Sequence, residues 1–170
     1  FKDTVEAGGY LRGLKAQGAS DKFSRKGIDE LTEFAKIYGA KGLAYIKLEA
    51  GEVKSPIAKF LSEEEIKAIL DRFEAKDGDI MFFVADKAKV VYDTLGAIRN
   101  KLGKELKLYD EKEFKFLWVV DFPLLEWSEE ENRYKAQHHP FTAIKKEDIA
   151  LLETTPEKVR TVSYDMVLNG

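Results

Sequence analysis

The sequence predicts an α+β fold, an antiparallel sheet with helices on one face, and three observations carry that prediction. Capped, amphipathic helical segments recur within the first 105 residues. Strand-like runs separate them in the order β-α-β-β-α-β-α, and from Phe114 onward the chain turns to apolar strand-like runs with only one short helical segment.

The first strand-like run is "YLRGLK". In "DKFSRKGIDELTEFAKIYGAKG", Ser24 is placed to cap a helix N-terminus. Phe23 and Ile28 occupy the two positions of a hydrophobic staple, and Gly39 follows as a left-handed stop. Ile28, Leu31, Ala35 and Tyr38 share one face of that helix. Two strand-like runs follow, "GLAYIKLEA" and "VKSPIAKF". Pro56 argues that the second of these is an edge, since proline cannot donate to a ladder.

A second helix is predicted in "LSEEEIKAILDRF", where Ser62 and Glu65 have the spacing of a capping box and Ile66, Ile69, Leu70 and Phe73 form the apolar stripe. "DIMFFVAD" reads as the fourth strand. A third helix is predicted from about Lys87 to Leu102, striped by Val91, Leu95, Ile98 and Leu102 and ended by Gly103. Gly96 inside it costs about 1 kcal/mol relative to alanine unless another backbone packs there. The order resembles a split βαβ unit, with two helices covering one face and the last leading away.

"FKFLWVVDFPLLEW" is too continuously apolar for a strand with one wet face, so it is expected to be buried on both sides within a larger sheet. "SEEENR" supplies a polar turn and "YKAQHH" a return strand that Pro140 ends. "KKEDIALLE" reads as a short helix. "TVSYDMVLNG" closes as a strand with Tyr164, Met166 and Leu168 on one face and Asn169-Gly170 in a turn. A strand that stops on a turn signal with no partner strand following leads us to expect an excised piece.

Composition narrows the function classes. The 170 residues are 44% hydrophobic, enough for a core, and contain no cysteine, which excludes disulfides, thiolate catalysis and cysteine-based zinc sites. No run of 18 apolar residues could span a bilayer, and "FKDTVEAGGYLRG" lacks the features of a signal peptide, so no membrane association and a cytoplasmic location are expected. Lys and Arg number 21 against 20 Asp and Glu in residues 1 to 112, and 7 against 11 beyond them. Neither part carries the clustered basic excess of an autonomous nucleic-acid binder.

Both histidines of the chain, His138 and His139, stand together in "KAQHHPFTAI". An imidazole can donate a hydrogen bond to a carboxylate and gain charge when an anion arrives. The alternative for His138 is an ordinary surface-loop histidine. A metal site is not expected, because adjacent histidines point differently and no fixed carboxylate supports them. Asp121 and Glu126 flank "DFPLLE" without the marks of an acid/base pair and read as structural, while Trp118 and Trp127 read as core or strand-edge residues.

Several long blocks resemble one known family. "FLWVVDFPLLEW", the "HHPFT" loop and "YDMVLNG" are similar to the second half of the catalytic domain of bacterial-type aspartyl-tRNA synthetases, which are class II synthetases. "KIYGAKGLAYIKLEAGEVKSPIAKFLSEEE" and "GDIMFFVADKAKVVYDTLGAIRNKLG" resemble the GAD domain inserted into that catalytic domain. The resemblance implies a GAD-like inserted domain at residues 1–112 and, at 113–170, strands of an incomplete class II antiparallel sheet.

It also implies the activity: aspartate is activated with ATP and Mg2+ and transferred to tRNA by a homodimeric full-length enzyme. The family's anticodon-binding barrel and its motifs 1, 2 and 3 have no counterpart in these residues. The 170-residue piece is therefore expected to be inactive, monomeric and without a cofactor, with no catalytic residue of its own. By the same resemblance His138 lies in the aspartate pocket, with His139 its neighbour in a mobile loop. The alternative is a standalone α/β module that binds RNA or a protein, with the GAD-like part as its functional unit.

Overall fold

The computed structural model describes residues 1–139 and 141–169; Pro140, expected to end a strand, and Gly170, expected in the last turn, lie outside them. The chain divides into two compact units, Phe1–Asp110 and Glu111–Gly170.

The first unit runs α1 (Lys2–Glu6), β1 (Tyr10–Ala16), α2 (Arg25–Ile37), β2 (Ala44–Glu49), β3 (Glu52–Lys54), α3 (Glu63–Arg72), β4 (Ile80–Asp86) and α4 (Ala88–Glu105). Its sheet has the order β1-β4-β2-β3, with every neighbouring pair antiparallel. The α+β class is as expected. The caps form as read: the Gly27 amide donates to Ser24 Oγ at 3.2 Å, and the capping box between Ser62 and Glu65 closes in both directions. Gly39 takes the left-handed φ of 90° that ends α2.

The coverage of the sheet differs from the one-face expectation. β4 presents Ile80, Phe82 and Val84 to one side and Met81 and Phe83 to the other, and all five are buried. A central strand apolar on both faces needs two covers. Helices α2 and α4 supply one, through Ile28, Leu31, Val91 and Ile98. Helix α3 supplies the other, with Ile69, Leu70 and Phe73 packed against Ile46, Met81 and Phe83. Helix α4 thus does not lead away but packs on β1, β4 and α2. Fully burying one such large apolar side chain is worth about 1.5 to 3 kcal/mol.

Two boundaries also move, and one helix is added. The expected strand "VKSPIAKF" is only Glu52–Lys54, at the sheet edge, and Ala58–Phe60 form a 3₁₀ turn beyond Pro56. Helix α4 passes Gly103 and ends at Glu105, with Leu106 as its C-cap and Lys107 next at a φ of 53°. Helix α1 was not expected at all. Inside β1, Gly13 has a packing reason: a Cβ there would come within 2.7 Å of the Phe82 carbonyl and of the Phe83 ring.

Asp79 stitches one end of the sheet together. Its buried carboxylate accepts from the Gly18 amide at 2.7 Å and the Lys76 amide at 2.9 Å, with the Lys15 ammonium 3.4 Å away. Burial pushes this carboxyl up, but the two amides and the ammonium outweigh it and hold the group below the usual carboxylate range. Nearby, Lys47 Nζ donates to the carbonyls of Ser20 and Phe23, tying the loop before α2 to β2.

The second unit contains β5 (Phe116–Val120), β6 (Leu125–Ser128), β7 (Arg133–Ala136) and β8 (Tyr164–Leu168), with 3₁₀ segments at Lys146–Leu152 and Pro156–Lys158. β5 pairs with β8 and β6 with β7, each pair antiparallel. The apolar run from Phe114 is therefore two strands, broken at Asp121, which adopts a φ of 61°. The expected burial of β5 on both sides is not met: Trp118 is 61% exposed and Phe116 62%. Among the described residues β5 is paired with β8 alone, and β8 is itself exposed at Tyr164 and Met166. Among the described residues no helix is long and apolar enough to cross a membrane.

Candidate functional site

The histidine loop is built on a short braced segment. A non-glycine residue in the left-handed region costs about 1 kcal/mol or more, and Asp121 holds it while ion-paired to Lys145. The break turns the chain so that Phe122, Pro123 and Leu124 meet two neighbouring stretches. The Phe122 carbonyl accepts from the Thr161 amide at 2.7 Å, and the Leu124 amide donates to the Val159 carbonyl at 2.8 Å. On the opposite side the Gln137 amide donates to the Leu124 carbonyl at 3.0 Å, extending the β6–β7 pairing to the residue before His138.

Asp148 and Arg160 brace the same region. The buried carboxylate accepts from Arg160 Nε at 2.7 Å, Nη2 at 2.9 Å and the Arg160 amide at 2.9 Å. These side-chain and backbone hydrogen bonds from Arg160 hold the Asp148 carboxyl at about 2, and the pairing raises the guanidinium further above its ordinary value. The Arg160 carbonyl in turn accepts from the Lys145 amide at 3.0 Å. The segments that carry Phe122 and Lys145 thereby share one anchor.

The two histidines differ in what holds them. His139 Nδ1 accepts from the Phe141 amide at 3.3 Å, which assigns the proton of its neutral form to Nε2. The His139 carbonyl accepts from the Thr142 amide at 2.9 Å and from Thr142 Oγ1 at 2.7 Å, closing a tight turn. His138 is exposed and makes no hydrogen bond to another described residue. Its ring meets the Phe122 ring edge to face, with centroids 4.9 Å apart and planes at 84°. Phe141, at the loop tip, is 89% exposed.

Asp121 and Glu126 do not form a pair of catalytic carboxylates: Asp121 is engaged by Lys145, and Glu126 lies opposite Lys135 in the β6–β7 ladder. Trp118 rests edge-on against Tyr164 and Trp127 against Tyr134. Among the described residues no group of three histidine or carboxylate side chains is placed to hold a metal ion. The first unit has a groove of about 1570 Å³ along α1, β1 and α3, floored by Leu11, Ile69 and Phe73. Neither histidine lines it; its charged lining residues are Lys2, Glu6, Arg12, Glu65 and Arg72, of both signs. Phe122 passed unnoticed in the sequence, absorbed into an apolar run; its place directly before Pro123 was the available sign that it leaves the strand.

Residues 1–95 match the family described as the GAD domain. Over all 170 residues the chain is 58% identical to the Aspartate--tRNA(Asp/Asn) ligase of Bacillus cytotoxicus, 57% to that of Bacillus mycoides and 56% to that of Bacillus anthracis. In each case it spans 29% of the relative's length. More than half of the chain lies within the first match, and the chain belongs to the GAD domain family.

Proposed function

We propose that these 170 residues are a segment of an aspartate–tRNA ligase, which activates aspartate with ATP and transfers it to tRNA. The observation that carries this reading is the alignment of the whole chain, at 56–58% identity, with ligases bearing that name. In this reading residues 1–112 are the GAD-like inserted domain and 113–170 are strands of a class II catalytic sheet. The exposed apolar ribbon of β5 and β8 then has a role: the rest of that sheet covers it.

Within the ligase, His138 donates a hydrogen bond to the carboxylate of substrate aspartate, and His139 is its pocket neighbour. A side chain that makes no hydrogen bond to another described residue has its ring nitrogens available to a ligand, whereas the Nδ1 of His139 is already engaged. ATP, Mg2+ and the tRNA belong to the full-length enzyme, a cytoplasmic homodimer, and the residues that hold ATP and Mg2+ lie outside this chain. Adenylate formation depends on positioning and on positive charge around the phosphates, which the 170 residues alone do not supply.

Aspartate-dependent ATP–pyrophosphate exchange tests the reading. The full-length protein is expected to catalyse it and the 170-residue chain to show none. Exchange that scales with the concentration of repurified 170-residue chain, or a full-length protein that ignores aspartate, would overturn it.

A further inference from the structure

We infer that Phe122 is a positioning residue for His138, fixing the imidazole for the substrate carboxylate; the inference rests on the proposed role of His138 in the ligase.

Three observations converge on it. The backbone around Phe122 is fixed from both sides, by Thr161 and Val159 on one and Gln137 on the other. The backbone of the histidine loop is likewise fixed, by the Gln137 amide on Leu124 and by the Thr142 amide and hydroxyl on the His139 carbonyl. What remains free is the rotamer of His138, and the only ring contact that side chain makes among the described residues is the edge-to-face packing on Phe122.

The chain accepts backbone strain to put that ring there. Asp121 holds its φ of 61° without being glycine, and the reversal it imposes takes Phe122 out of the β5 pleat and toward the loop. Strain of this kind persists where the surroundings over-determine it, here through the Lys145 ion pair and the hydrogen bonds at residues 122 and 124. An unanchored imidazole in an exposed loop would sample several rotamers and lose that freedom on binding. A ring already seated edge to face avoids most of that loss, so Phe122 acts on aspartate affinity through His138 and not on ATP.

The test is made in the full-length ligase, with single and double variants and separate KM values for aspartate and ATP. Phe122→Leu keeps apolar bulk but removes the ring. From the about 0.5 to 1.5 kcal/mol attributed to an aromatic pair, it is expected to raise the aspartate KM about 2- to 12-fold with the ATP KM unchanged. Phe122→Tyr keeps the ring and is expected to stay within about twofold of wild type. In a His138→Ala background, Phe122→Leu is expected to add nothing, because the ring then has no imidazole to place.

An additive effect in that background, or an aspartate KM unmoved by Phe122→Leu while His138→Ala raises it, would overturn the inference and leave the role of His138 standing. An aspartate KM unmoved by His138→Ala would overturn the role of His138 itself. If Phe122→Leu lacks the wild-type circular dichroism spectrum, Phe122→Met serves as the ring-free variant with the same expectations.

Discussion

Replacing Asp79 by alanine tests the account of how the first unit closes. The carboxylate is buried and accepts from two main-chain amides, Gly18 at 2.7 Å and Lys76 at 2.9 Å, with Lys15 beside it. Removing it orphans two donors that water cannot easily reach, at about 1 to 3 kcal/mol each. Lys15 is not left without a partner in the variant, because its ammonium also donates to the Glu74 carbonyl. The expected loss is about 3 to 5 kcal/mol, a large part of the about 5 to 15 kcal/mol that holds a domain together.

Urea denaturation of the 170-residue chain, followed by far-ultraviolet circular dichroism, reads the loss as a lower midpoint at unchanged slope. The pH dependence has a defined sign. Asp79 has its folded pKa depressed, so its contribution is fully present above the unfolded value of about 4 and fades as pH falls through the folded value. The gap between wild type and Asp79→Ala should therefore narrow only below about pH 4. A wild-type midpoint for Asp79→Ala, or a gap that narrows as pH rises from neutral, would refute the reasoning.

Two further outcomes follow from the fold. Gly96 lies inside α4 with no atom within 4 Å of where a Cβ would stand, so Gly96→Ala should stabilise by about 0.5 to 1 kcal/mol in the same urea assay; a destabilised variant would show crowding where the structure has open space. Amide exchange should be slowest in β4, which is buried and paired on both edges, and faster in β5 and β8, whose side chains are exposed; equal protection of the two would show that the ribbon is covered in solution.

What the sequence made legible were the features with a local physical signature. Ser24, Ser62 and Glu65 are caps because their side chains reach amides three residues away, and that spacing is visible in letters. Pro56 marked the edge correctly although it stands just outside β3. The cover on both faces of β4 was written in "IMFFV", a run with no polar alternate, yet the order of helices alone suggested one covered face. Helix α1 is five residues, too short for an apolar period to declare itself. The break at Asp121 had no signal beyond the Phe122-Pro123 step that follows it, since a left-handed aspartate is fixed by Lys145 and by the strands around it, all distant in sequence or set by tertiary pairing. The histidine pair was conspicuous by composition. That His139 Nδ1 is engaged by the Phe141 amide, while His138 makes no hydrogen bond among the described residues, is visible only in the folded loop.

The proposed role of His138 in the proposed ligase is tested most directly by the aspartate KM of the full-length protein carrying His138→Ala. Losing a hydrogen bond to a charged group should raise it about 5- to 150-fold, from about 1 to 3 kcal/mol, while the ATP KM changes little. His139→Ala should do less, because that ring is tied to its own loop by the Phe141 amide. An unchanged aspartate KM in His138→Ala, or a larger effect from His139→Ala, would contradict the account.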